Sequence, residues 1–193
     1  KRGGHGFMNV TDALAQSCDV FFYQVGEKLG VDRLARYAEA CGLGVPTGIE
    51  LDGEARGLVP TSVWKLRRAG APWQGGETLV VAIGQGFNLV TPIQMLNLIS
   101  AVANGGIRYK PLVVRRIESS HGALVERQAP VPSGRLPASA KTLQIIKRGL
   151  IDAVNEPSGT GWIVRIPGVN MAGKTGTAQV ARIKEDNREE PVE

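Results

Sequence analysis

The sequence predicts an α+β fold, rich in helices and carrying antiparallel strands, in one domain or a large part of one. Three observations support this. Apolar residues recur at helical spacing in several stretches, each bounded by a capping residue or a glycine. Two short strand-like segments flank a turn at His121-Gly122, the pattern of a hairpin. The 193 residues are 42% apolar and 21% charged, enough to bury a core and too apolar for general disorder. The 25 glycines and 11 prolines follow no fixed period, which excludes collagen and coiled coil. No run approaches the roughly 18 apolar residues of a membrane span. The opening KRGGHGFMNV is no signal peptide, and without an initial Met the chain reads as an excised segment.

Along the chain, Thr11 is the expected cap of a short helical turn, broken at Ser17-Cys18-Asp19 because short polar side chains compete for backbone hydrogen bonds. Phe21, Phe22, Val25 and Leu29 then mark a helix that Gly30 closes. Val31, Leu34, Ala35 and Ala38 mark a second, ended by Gly42 or Gly44, and both helices are expected to be mostly buried. Residues 45–76 are rich in Gly and Pro around one helical piece, 63–68. Residues 77–83 form a short apolar run ending in Gly84-Gln85-Gly86. Thr91-Pro92 opens a strong helix with Ile93, Leu96, Ile99 and Ala103 as its apolar face, and Asn104-Gly105-Gly106 stops it. Strand pieces at 112–118 and 124–127 make the hairpin. Ser139 caps a helix bearing Leu143, Ile146, Leu150 and Val154. Residues 162–183 look strand-like with a Gly-rich middle, and the polar tail 184–193 reads as a mobile loop or a cut end.

The net charge of +5 comes from scattered residues without interleaved aromatics, so nucleic acid is not an expected partner. Cys18 and Cys41 stand in no metal-ligand spacing with His5 or His121. One disulfide between them is the alternative to two unpaired thiols, which are expected, with Cys18 as a small packing residue and no metal or cofactor.

Two chemical motifs share the same residues. Gly168 to Thr175 satisfies G-x-x-x-x-G-K-T, in which backbone N–H groups cradle phosphates and Lys174 and Thr175 reach phosphate and magnesium. A phosphate loop must open a helix, however, and Gly176 is a helix breaker followed by strand-like alternation. Lys174-Thr175-Gly176 also forms the K-T-G element of serine acyltransferases that recognise penicillin. There a lysine and two hydroxyls on a strand edge bind a carboxylate, and the glycine lets a ligand backbone approach. Upstream, Ser17-Cys18-Asp19 supplies an S-x-D element on a turn between helices.

The segments HGFMNVTDAL, SCDVFFYQVG, PWQGGETLVVAIGQG, TPIQM and GKTGTAQV occur in the order of the transpeptidase domain of class B penicillin-binding proteins. Over nearly all its length the chain resembles that family, most closely its elongation-type penicillin-binding protein 2 subgroup. The resemblance implies a penicillin-recognising serine transferase fold, an antiparallel sheet flanked by helices, of which residues 1–193 form a helix-rich central-to-C-terminal part. It implies a peptidoglycan D,D-transpeptidase that crosslinks stem peptides ending in D-Ala-D-Ala through a serine acyl-enzyme, and that binds β-lactams. It further implies a membrane glycosyltransferase partner and a place on the periplasmic face of the inner membrane, with the anchor outside this chain. A related serine β-lactamase, a penicillin-sensing domain and, remotely, a phosphate-loop nucleotide-binding protein are the alternatives.

By the same resemblance, Ser17 relays a proton towards the leaving amine. Asp19 replaces the commoner Asn and favours a charged Lys174. Lys174, Thr175 and Thr177 hold the terminal carboxylate, Gly176 leaves room for it, and the Thr177 N–H is one oxyanion donor. The nucleophile belongs to an S-x-x-K element. Ser62-Val63-Trp64-Lys65 fits that pattern but follows Ser17, whereas the family's nucleophile precedes it. Ser62 is expected to cap a helix, Trp64 to pack, and the nucleophile to lie outside this chain.

Overall fold

The computed structural model describes residues 4–178. Seven helices lead the architecture: α1 (Val10–Ala15), α2 (Asp19–Leu29), α3 (Val31–Ala40), α4 (Ser62–Ala69), α5 (Gly75–Ala82), α6 (Pro92–Ala103) and α7 (Ala140–Asn155). Between α6 and α7 lie β1 (Ile107–Tyr109), β2 (Arg116–Glu118), β3 (Leu124–Arg127) and β4 (Pro132–Arg135). They form two separate antiparallel pairs, β2 with β3 as the expected hairpin and β1 with β4 around it. β1 and β4 carry no clear alternation and were not legible in the sequence.

Helix starts follow side-chain chemistry. Asn9, not Thr11, caps α1, because its carboxamide oxygen accepts from Asp12 N–H at 3.0 Å, leaving Thr11 inside the first turn. Thr61 rather than Ser62 caps α4, accepting from Trp64 N–H at 3.0 Å. The apolar run 77–83 is mostly helix, since Gln74 and Glu77 form a capping box ahead of it. Thr91 and Gln94 make the same box at α6, with Pro92 in the first turn as expected. Ser139 caps α7, accepting from Thr142 N–H at 3.1 Å.

The core gathers Ala101 and Val102 of α6, Leu136, and Leu143 and Leu150 of α7, with Cys41 and Leu98 packed against it. α6 therefore turns Gln94, Ala101 and Val102 inward, whereas Leu96 is 60% exposed and Ile99 also faces out. The expected face was wrong because this helix is apolar almost all round, so periodicity could not select a side. Buried Gln94 donates to Val45 O at 2.8 Å and Arg56 O at 2.9 Å, tying the Gly/Pro-rich loop to α6. α2 buries only Gly26, and α3 only Val31 and Ala35, so the expectation of two mostly buried helices fails. Val20 is 62% exposed, because among the described residues α2 packs chiefly on α5 and leaves its other side open.

Close contacts set the frame around the Ser17 turn. At Gly26 on α2 a Cβ would come within 2.4 Å of the Ala82 Cβ on α5. At Gly149 on α7 it would come within 2.8 Å of the Leu14 Cβ on α1. α1 is thereby pressed onto the C-terminal half of α7.

Residues 165–178 contain neither helix nor strand, apart from one 3₁₀ turn just before them (Trp162–Val164). The strand expected across 162–183 does not form over the described part, where no neighbouring strand pairs with it; 179–183 and the tail 184–193 lie outside the described residues. Both cysteines are free, and Cys18 is buried beside the turn. No helix among the described residues is long and apolar enough to cross a membrane.

Candidate active site

Ser17 occupies an unusual backbone position. Its N–H donates to Leu14 O at 3.4 Å, and Cys18 N–H donates to Ala13 O at 3.0 Å. This pair of bonds ends α1 with a left-handed residue, the place glycine normally takes. Ser17 has φ 50°, the one non-glycine with positive φ among the described residues. Such a conformation costs about 1 kcal/mol or more, and it persists where the surroundings over-determine it. The result is a hydroxyl projected at the junction of α1 and α2, with Asp19 opening the first turn of α2.

Lys174, 157 residues further on, reaches this hydroxyl and donates to Ser17 Oγ. Its other donors meet Thr175 O at 3.1 Å and Thr175 Oγ1 at 3.3 Å. The residue as a whole is exposed, but the ammonium is turned inward, and the resulting desolvation lowers its pKa below the ordinary lysine value. The Asp19 carboxylate pulls the other way. Asp19 thus acts in the expected direction, but burial wins, and Lys174 gives up its proton more readily than a surface lysine.

Thr175, Gly176 and Thr177 continue outward from the lysine. Among the described residues nothing lies within 4 Å of a Cβ placed at Gly176, which leaves room on that side for a ligand. Thr177 O accepts from Gln85 Nε2 at 3.1 Å, which fastens the Gly84-Gln85-Gly86 turn to this segment.

Two participants escaped the sequence. Gln85 lies between Gly84 and Gly86, yet nothing in one glutamine signals a contact 92 residues away. Thr160 Oγ1 lies 3.3 Å from Ser17 Oγ and 2.8 Å from Thr175 Oγ1. Its only sequence signal is its place between two glycines just past a strong helix.

Ser62 and Lys65, which match S-x-x-K, are not a pair. Ser62 Oγ donates to Asp32 Oδ2 at 2.7 Å, while Lys65 is bound to Glu77 at 2.5 Å and is 7% exposed. Trp64 packs on Phe87 with ring centroids 5.3 Å apart. A phosphate loop is contradicted as well, since no helix opens at Thr175 within the described residues and Lys174 is turned into Ser17. Among the described residues no cluster of His, Cys, Asp and Glu could hold a metal ion.

Residues 1–191 match the family model described as penicillin binding protein transpeptidase domain. This chain belongs to the penicillin-binding protein transpeptidase family. It is 36% identical over 190 residues to the peptidoglycan D,D-transpeptidase MrdA of Acinetobacter baumannii, covering 97% of this chain and 28% of that protein. The complex between the penicillin-binding protein PBP2 and MreC from Helicobacter pylori superposes with TM-score 0.78 at 34% identity, over 93% of this chain and 32% of that one. Pseudomonas aeruginosa PBP2 in complex with WCK 5153 gives TM-score 0.77 at 32% identity, over 93% and 40% respectively. The chain spans about three tenths of the length of the curated relatives it matches. Its fold is that of the family, the penicillin-recognising serine transferase fold, with small antiparallel sheets among the helices.

Proposed function

We propose that this chain is the central-to-C-terminal part, residues 1–193, of the transpeptidase domain of a peptidoglycan D,D-transpeptidase acting in cell-wall elongation. The observation that carries the reading is the convergence of Ser17 and Lys174 across 157 residues of chain. A serine outside this chain attacks the carbonyl of a stem peptide's D-Ala-D-Ala bond, the terminal D-Ala leaves as the amine, and an acyl-enzyme remains. An amine from a neighbouring strand then attacks that ester, forming the crosslink and freeing the serine. Ser62 is tied to Asp32 and Lys65 to Glu77, which supports placing the nucleophile elsewhere.

Lys174 with the Thr175 and Thr177 hydroxyls holds the terminal carboxylate of peptide or β-lactam, and Gly176 gives it room. Ser17 carries a proton towards the departing amine, a role open to a group that both donates and accepts. The Thr177 N–H is one oxyanion donor; among the described residues it has no acceptor of its own. In the full protein a membrane glycosyltransferase is the partner, and the site faces the periplasm from an anchor on the inner membrane. A serine β-lactamase would use the same groups, and rapid turnover of penicillin rather than a lasting adduct would identify one.

A fluorescent penicillin is expected to label the full-length protein at a serine outside this chain, located by peptide mass mapping. Label on Ser62, or none, contradicts the reading.

The pH profile offers a further check. Asp19 raises the Lys174 pKa, so Asp19→Asn should let it fall further, and the loss of acylation at alkaline pH should begin at lower pH than in the parent. An unmoved or oppositely moved alkaline limb, followed as acylation rate against pH, would remove Asp19 from this role.

A further inference from the structure

Thr160 is held as firmly as the groups it joins. Its N–H donates to Ala15 O at 3.1 Å, next to the Ser17 turn, while Gly161 N–H donates to Ala153 O at 2.8 Å. A Cβ at Gly159 would strike Ala153 O at 2.4 Å and Asp152 O at 2.5 Å, so the turn lies directly on the end of α7. From there its hydroxyl bridges Ser17 Oγ and Thr175 Oγ1, and Lys174 donates to both of those oxygens. One ammonium and three hydroxyls close a ring.

Proton counting restricts this ring. The ammonium only donates, whereas each hydroxyl has one proton and two lone pairs. If the Thr175 proton points into the groove, Thr160 must donate to Thr175, and Ser17 to Thr160. Ser17 then shows the groove a lone pair. In the reverse order Thr175 donates to Thr160, Thr160 to Ser17, and Ser17 offers its proton outward. A third order, with Ser17 and Thr175 both donating to the two lone pairs of Thr160, is open only while the Thr175 proton is not drawn into the groove. Because hydrogen bonds in such chains reinforce one another, the two ordered states dominate.

We propose that Thr160 is a positioning residue that couples anion occupancy at Thr175 to the proton direction at Ser17. This rests on the carboxylate role assigned above to Lys174 and Thr175. A carboxylate accepting from Thr175 selects the order in which Ser17 is a proton acceptor. When the carboxylate leaves, the order is free to reverse and Ser17 becomes a donor. No bond to carbon is made or broken in this step; hydroxyl protons rotate.

The test compares benzylpenicillin with its methyl ester, which lacks the anion, as acylating agents of the full-length protein. Thr160→Val should lower the acylation rate for the free acid about tenfold while leaving the ester's rate nearly unchanged, because one coupling hydrogen bond is lost. Thr160→Ser, which keeps the hydroxyl, should restore the preference for the acid. Thermal unfolding of each variant checks folding, and Thr160→Ala replaces the valine variant if the latter unfolds. Equal losses for acid and ester, an acid rate unchanged in Thr160→Val, or no rescue by serine would overturn the coupling. A parent protein that penicillin does not acylate at all would instead overturn the carboxylate reading, and the coupling with it.

Discussion

Ser17→Gly is expected to leave the protein at least as stable as the parent and nearly inactive. The two effects separate because Ser17 sits at φ 50°, where a side chain is strained and glycine is not. Relief of that strain gains about 1 kcal/mol, part of which is returned through the greater freedom of glycine in the unfolded chain. The hydroxyl that receives the Lys174 proton donor and meets Thr160 is lost at the same time. Removing a proton-transfer group typically costs about 100-fold or more, and acylation by penicillin should fall on that scale. Denaturant unfolding and acylation kinetics on one sample decide the matter. A destabilised but active Ser17→Gly would mean that the turn is built for folding alone.

Glu77→Ala is expected to be the most damaging change to the fold. Lys65 is 7% exposed, and its partner among the described residues is the Glu77 carboxylate, which also accepts from Gln74 N–H at 2.8 Å to start α5. The bond from Lys65, followed by that from Gln74, holds the Glu77 pKa below the ordinary carboxylate value. Truncation leaves a buried ammonium unpaired and removes a helix cap, together a loss of about 3 kcal/mol or more in urea unfolding. α5 packs on α2, so the Ser17–Asp19 turn should loosen with it. The sign of the pH effect follows. With its folded pKa depressed, Glu77 contributes stability that is present above the unfolded carboxylate value and lost as pH falls through the folded one. Stability of the parent should therefore decline as pH falls below the ordinary carboxylate value of 4.5, and Glu77→Ala should decline less over the same window. Equal slopes for the two proteins would assign the acid sensitivity elsewhere.

Much of the helical frame could be read from local chemistry. The start of α6 is written in Thr91-Pro92 and Gln94, and α7 in Ser139 and its apolar stripe, because cap and periodicity agree there. Where they do not, the sequence misleads. α6 is apolar on most sides, so burial was settled by Gln94 reaching two loop carbonyls rather than by the leucine spacing. At α5 two glycines hide a helix that the Gln74–Glu77 box nucleates. The segment around Lys174 alternates like a strand, but a strand needs a neighbour to pair with, and none of the described residues supplies one.

The site was legible in a different way. Ser17, Asp19 and Lys174 to Thr177 were proposed from ordered motifs, and the structure brings Ser17 and Lys174 into contact. Thr160 and Gln85 were not found, since each contributes through a single contact that leaves no spacing behind. Asp19 was expected to favour a charged Lys174 and pulls that way, but desolvation of the ammonium prevails, and that depends on packing that no motif records.

The most direct measurement is a crystal structure of the full-length protein acylated by a penicillin. The drug's carboxylate should lie within hydrogen-bonding distance of the Lys174 ammonium and the Thr175 and Thr177 hydroxyls, with Ser17 Oγ between the lysine and the acylated serine. A carboxylate bound on another face, with Lys174 and Ser17 remote from the adduct, would contradict the account.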